Sequence, residues 1–152
     1  MQGNIYKSYD YNFSEREVKM SSCVVGDLMK CSPLYVYESD DLLKVIEYMK
    51  KFSVDAISVI NEDYSLSGHL TKKNIKDYLR TNFFLFGSII ESLKTVKVRD
   101  IMKKNTLPLT FYPTTRAEDA FSLMKHFKNK YAPVVETPWE KKVIGFLWLT
   151  DN

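Results

Sequence analysis

The chain has 152 residues, 45% of them hydrophobic and 14% aromatic, enough apolar material for one domain or two small ones and too much for wholesale disorder. Its 22 Lys and Arg oppose 19 Asp and Glu for a net charge of +3, and only four of the basic residues are Arg, so the balance excludes a nucleic-acid binder declared by composition. Two cysteines, Cys23 and Cys31, exclude a disulfide scaffold and a four-thiolate zinc site.

Residues 1–13 are polar and Tyr-rich without a period, and residues 1–24 read as an arm in which Ser14 and Glu17 have the spacing of a capping box for a short helix. A turn over Gly26–Met29 leads to a strand over Leu34–Tyr37. Ser39-Asp40-Asp41 then suits a helix N-terminus, and Leu42, Val45, Ile46, Met49 and Phe52 lie on one face of the helix that follows. Ala56–Ile60 reads as a buried strand, Asn61-Glu62-Asp63 as a turn, Leu66–Leu70 as a strand and Thr71–Arg80 as a helix. Residues 81–97, with Phe83, Phe84, Leu85, Phe86, Ile89, Ile90 and Leu93, are too apolar for a flexible linker and predict a helix packed between two halves. The best candidate for a spanning segment, Phe83–Ile90, contains Gly87 and Ser88 and is far short of the roughly 20 residues a spanning helix needs. With an N-terminus that lacks a signal peptide's apolar core, the expectation is a cytoplasmic chain.

The same order then recurs. Arg99-Asp100-Ile101-Met102 echoes Gly26-Asp27-Leu28-Met29. A strand is expected over Leu109–Phe111, a capping box at Thr115 and Glu118, and a helix carrying Ala117, Ala120, Phe121, Met124 and Phe127. Strands follow over Ala132–Val135 and Val143–Trp148. Asp27 to Asp100 is 73 residues, Met49 to Met124 is 75 and Gly68 to Gly145 is 77. The drift falls in expected loops, as in a duplicated domain, and the period is too long for a solenoid. The organisation expected is an arm (1–24), repeat 1 (25–80), a connecting segment (81–97) and repeat 2 (98–152).

This α/β pattern of two tandem βαββα units resembles the CBS-domain pair, or Bateman module. The resemblance rests on the turns Asp27–Met29 and Asp100–Met102, on Met49 and Met124, on the strand Ala132–Val135 and on a closing glycine motif. That motif is Gly, an apolar residue two further on, Thr or Ser, then Asp or Asn after two more. Repeat 1 matches in full, Gly68-His69-Leu70-Thr71-Lys72-Lys73-Asn74; repeat 2 keeps Gly145 and Asp151 but has Trp148 in place of the hydroxyl residue. The chain also ends at Asn152, where the last helix of the second unit should begin, so the expectation is a piece of a larger protein, or a chain in which another element covers that surface.

The resemblance implies two repeats related by pseudo-twofold symmetry and a non-catalytic regulatory module. Its clefts, between the two repeats, would sense AMP, ADP, ATP or another adenosyl ligand, with no cofactor required, and it would form a homodimer or act on a fused or separate effector domain. The better site by the resemblance is Ser32, Pro33, Leu34, Ala56 and Ile57 with Gly68, Thr71, Lys72, Lys73 and Asn74. Thr71 and the lysines would hold phosphate at a helix N-terminus and Asn74 the ribose. The other site is Asn105, Thr106, Pro108, Tyr131, Ala132, Pro133, Trp148 and Asp151, with Trp148 filling the slot or stacking on a base. Three bland readings stand beside these: Thr71 as a helix cap only, the lysines as a solvated face, and a dimerising or partner-docking module with no ligand. His69 and His126 read as structural. No Ser/His/Asp, Cys/His or paired-carboxylate constellation is legible, so neither an enzyme nor a metal site is expected.

Overall fold

The computed structural model describes residues 22–30, 34–82, 89–102 and 108–149. The readings made for Ser14–Glu17, Cys31, Ser32, Pro33, Phe83–Phe86, Asn105, Thr106 and Asp151 lie outside these residues. The elements are α1 (Val25–Leu28), β1 (Tyr35–Tyr37), α2 (Leu42–Phe52), β2 (Ala56–Ile60), β3 (Leu66–Thr71), α3 (Lys72–Asn82), α4 (Ile89–Thr95), α5 (Val98–Ile101), α6 (Ala117–Phe127), β4 (Tyr131–Val135) and β5 (Val143–Trp148).

The two halves repeat each other in hydrogen-bond detail. Both turns expected from the Asp-apolar-Met motif are single-turn helices, α1 and α5. Asp27 Oδ2 accepts the Val24 N–H (3.2 Å) and Asp100 Oδ2 the Lys97 N–H (3.0 Å), so each Asp closes the first turn of its own helix. Helices α2 and α6 each have 11 residues and bury one stripe: Leu42, Val45 and Met49 in one, Ala117, Ala120 and Met124 in the other. Both end on a left-handed residue, Ser53 (φ 54°) and Lys128 (φ 58°). In the sheets, β2 pairs antiparallel with β3 and β4 with β5. The register slips at the same point in both, between Val59 and Ile60 and between Val134 and Val135. β1 adds to β2 in parallel.

Some elements differ from expectation. No strand forms over Leu109–Phe111; Phe111 alone makes a parallel bridge to Val134. Pro108 and Pro113 flank it and bring no N–H to a ladder. Thr115 does not cap α6. Its Oγ1 accepts the Tyr112 N–H (3.1 Å), the role that Asp40 Oδ2 plays for Tyr37 N–H (2.8 Å), and the α6 N-cap is Arg116, without a side-chain capping bond. In α2 the expected cap is present, Asp41 Oδ1 accepting the Lys44 N–H at 2.9 Å.

Each short helix docks on the other half. Val25, Gly26 and Ala117 N–H donate to Thr115, Pro113 and Cys23 C=O (2.8, 2.8 and 2.9 Å); on the other side Val98, Arg99 and Leu42 N–H donate to Asp40, Glu38 and Val96 C=O (2.8, 3.0 and 3.1 Å). The hydrophobic core follows this crossing. Val98 and Met102 pack with Leu34, Val36, Leu42, Val45 and Met49, while Val25 packs with Phe111, Ala120, Met124, Ala132 and Val134. Lys30 exchanges both backbone hydrogen bonds with Phe146 (2.8 Å each). A Cβ on Gly145 would lie 3.1 Å from Lys30 O and 2.9 Å from Met29 Sδ, so glycine lets the Lys30 backbone approach this closely. Helix α4, in the apolar connecting segment, sits against α2 and buries Ser92 and Leu93.

Candidate ligand-binding cleft

Strand alternation decides which motif side chains are available. On β3, Gly68 and Leu70 are buried toward the core, whereas His69 and Thr71 face the other way. On β4, Ala132 and Val134 go to the second core cluster, and Tyr131 and Pro133 face the opposite side. The outward sets meet in a cleft of about 520 Å³ between the halves. It is bounded by Ala56, Ile57, Ser58 and Thr71 from one and by Pro108, Phe127, Tyr131 and Pro133 from the other. That volume lies within the range of small-molecule pockets.

The cleft therefore joins parts of two sites that the sequence separates. Thr71, Ala56 and Ile57 share it with Pro108, Tyr131 and Pro133. Leu34, expected as an adenine wall, is 1% exposed in the main core, because the side chain just before β1 is drawn inward with Val36. Gly68 and Ala132 are buried behind the strands and line nothing in the cleft. Phe127, Lys128, Asn129 and Lys130 line it without having been singled out as site residues. The signal was available, since they follow the second helical stripe as Phe52–Asp55 follow the first.

Around Thr71 the helix end is a completed capping box. Thr71 Oγ1 accepts the Asn74 N–H and Asn74 Oδ1 accepts the Thr71 N–H, each at 3.0 Å. Lys72 N–H donates to Asp55 C=O at 2.8 Å. Two N–H groups expected to face an anion are thus committed within the protein. The Thr71 hydroxyl keeps its proton to donate, and Asn74 keeps its amide N–H₂. Lys72 and Lys73 pair with Asp55 (3.6 Å) and Asp77 (2.9 Å) on the surface. A second, shallower depression shares Asp55, Ala56 and Thr71 with the cleft and adds Lys72, Lys73, Lys76, Asp77 and Arg80. Its four cations exceed its two carboxylates by two positive charges.

On the opposite flank Tyr131 is a tie between halves. Its phenol oxygen accepts the buried Ser58 N–H at 2.8 Å, and burial pushes its pKa up to about 12. Trp148, paired with Tyr131 across β4–β5, stacks on that ring (5.0 Å between centroids, 23° between planes) and lies 6.5 Å from Phe52. The indole is thus in contact with two rings of the protein itself, one from each half. Among the described residues no group of three or more His, Cys, Asp or Glu is placed to hold a metal ion, and no helix is long and apolar enough to cross a membrane.

Comparison with known proteins agrees with this architecture. Residues 25–81 match the CBS domain family. The uncharacterized protein MJ1426 of Methanocaldococcus jannaschii is 28% identical over 152 residues, covering 84% of this chain and 88% of that protein. The mitochondrial CBS domain-containing protein CBSX3 of Arabidopsis thaliana is 28% identical over 144 residues, covering 89% of this chain and 65% of its own length. Among solved structures, CBSX2 in complex with AMP superposes with a TM-score of 0.58 at 24% identity, over 83% of this chain and 90% of that one. The CBS domain of the bacterial CNNM/CorC family Mg²⁺ transporter in complex with ATP superposes with 0.61 at 16% identity, over 88% and 86%. The match to the CBS domain family over residues 25–81 and the superpositions agree on one architecture: the chain has the fold of a tandem CBS pair.

Proposed function

We propose that the chain is a non-catalytic regulatory module that senses an adenosine nucleotide or related adenosyl ligand in the cleft between its repeats. The observation that carries this reading is the cleft itself, which brings the intact glycine-motif residue Thr71 against an apolar wall from the other repeat. The bound AMP and ATP of two structural neighbours support the same ligand class. The planar base suits the apolar part, at Ala56, Ile57 and Pro133. The phosphates suit the Thr71 hydroxyl and the cationic depression at Lys72, Lys73 and Lys76. A ligand that touches both repeats favours one relative placement of them and can pass that preference to an effector domain or to the partner in a cytosolic homodimer.

Thermal melts with AMP, ADP, ATP and S-adenosylmethionine test the reading. One of them should raise the Tm at millimolar concentration; no shift with any of them overturns it. Thr71→Ala should weaken binding at least about tenfold through loss of a hydrogen bond to a charged group and cost about 1 kcal/mol of stability through loss of the cap. Thr71→Ser should keep both. A docking module with no ligand is the second reading, and the Trp148 indole, stacked on Tyr131 within the protein, favours it. Unshifted melts together with a stable dimer in sizing experiments would select it.

A further inference from the structure

The cleft has two polar rows of different chemistry. Across β2 and β3, Ala56 pairs with Thr71 and Ser58 with His69, so these four positions share the face turned to the cleft. The Ala56–Thr71 row opens onto the cationic depression at Lys72, Lys73 and Lys76. The Ser58–His69 row lies about 7 Å further along the strands and meets Tyr131 from the other half. Lys130, beside Tyr131 in the chain, gives its ammonium to Ser53 C=O at 2.9 Å. An anionic group suits the first row, and the polar edge of a ring suits the second.

Tyr131 has a hydrogen bond still to give. The residue is 8% exposed, and its phenol oxygen accepts from Ser58 twice, from the N–H at 2.8 Å and from the hydroxyl. A phenol also carries one proton to donate, and among the described residues none accepts it. Trp148 stacks on the ring at 5.0 Å and Phe146 packs on it at 5.8 Å, so the hydroxyl is held in place at the cleft. A buried donor without an acceptor is costly, and the cleft is where an acceptor can arrive. We infer that the Tyr131 hydroxyl reads the ligand, donating its proton to an unprotonated ring nitrogen of the base that lies on Ala56, Ile57 and Pro133. An N–H at that edge would set donor against donor, and a C–H would leave the phenol unpaired, so Tyr131 determines which rings the cleft accepts. The nucleotide in this inference rests on the proposed ligand reading; the demand for a ring acceptor does not.

Two arms test it. In calorimetric titrations of the native protein, one of the 1-, 3- and 7-deaza analogues of AMP, each with C–H in place of a ring nitrogen, should bind about tenfold more weakly than AMP. Tyr131→Phe should weaken AMP by a similar factor and bind that analogue as well as it binds AMP. Three analogues as tight as AMP, or a difference that persists in Tyr131→Phe, overturns the inference. The second arm needs neither nucleotide nor variant, and decides if AMP does not bind or Tyr131→Phe does not fold. Benzimidazole and indole have the same shape, but benzimidazole alone has an acceptor ring nitrogen. Followed by NMR on the native protein, benzimidazole should bind at least about threefold tighter and shift the Ser58 N–H, whose acceptor is the phenol it would engage. Equal binding, no binding of either, or an unmoved Ser58 signal overturns the inference. Preference for benzimidazole without binding of AMP would sink the proposed nucleotide while sustaining the role of Tyr131.

Discussion

Tyr131 shows how one residue can carry a local and a long-range role at once. It lines the cleft, and its phenol oxygen takes the N–H of Ser58, 73 residues away. Tyr131→Phe leaves that buried N–H without its acceptor and should cost about 1–3 kcal/mol in denaturant unfolding. The phenol also sets an alkaline limit. Its pKa is about 12 in the fold against about 10 in an unfolded chain, so the folded state holds the proton more tightly. The stabilisation is complete below about pH 10 and is lost as the pH rises toward 12, by about 2–3 kcal/mol in all. Unfolding free energies measured across that interval should fall for the native protein and stay flatter for Tyr131→Phe. From the sequence Tyr131 was readable as a wall residue. Its tie to Ser58 was not, because nothing near either residue in the chain encodes the other.

At the scale of elements, local signals were legible and edges were not. The stripe Leu42, Val45, Met49 and the acid Asp41 together predict α2, and the helix is there with that cap. The repeated stripe predicts α6, but Thr115 is spent on the turn at Tyr112 rather than on the helix. Strand Leu109–Phe111 failed for a related reason: a strand exists only where a neighbour offers a ladder, and here that neighbour reaches Phe111 alone. The left-handed ends of α2 and α6 are a further cost that the apolar pattern does not reveal, since Ser53 and Lys128 are neither Gly nor Asn. Ser53→Gly relieves the Cβ strain at φ 54° and should stabilise the protein by up to about 1 kcal/mol, read as a higher denaturation midpoint. A lower midpoint would mean that Ser53 gains more from its side chain than the backbone loses.

For the whole molecule, the decisive feature is the exchange of α1 and α5 between halves. Val25 sits in one core cluster and Val98 in the other, each in the half opposite its own repeat. Neither repeat is complete without the other, so calorimetry should show a single unfolding transition. Val98→Ala, which opens space in the first cluster, should lower that transition by about 1–3 kcal/mol without splitting it; two resolved transitions would contradict the coupling. The sequence by itself determined the duplication, the order of the strands and helices, and the motif at Thr71, because period, capping and turn chemistry act between residues close in the chain. Only the tertiary structure decided that the halves exchange their first turns, that Thr71 shares its cleft with Tyr131 and Pro133, and that Trp148 lies on Tyr131. Those depend on which surfaces meet across some 70 residues of chain, where packing and not local preference selects the outcome.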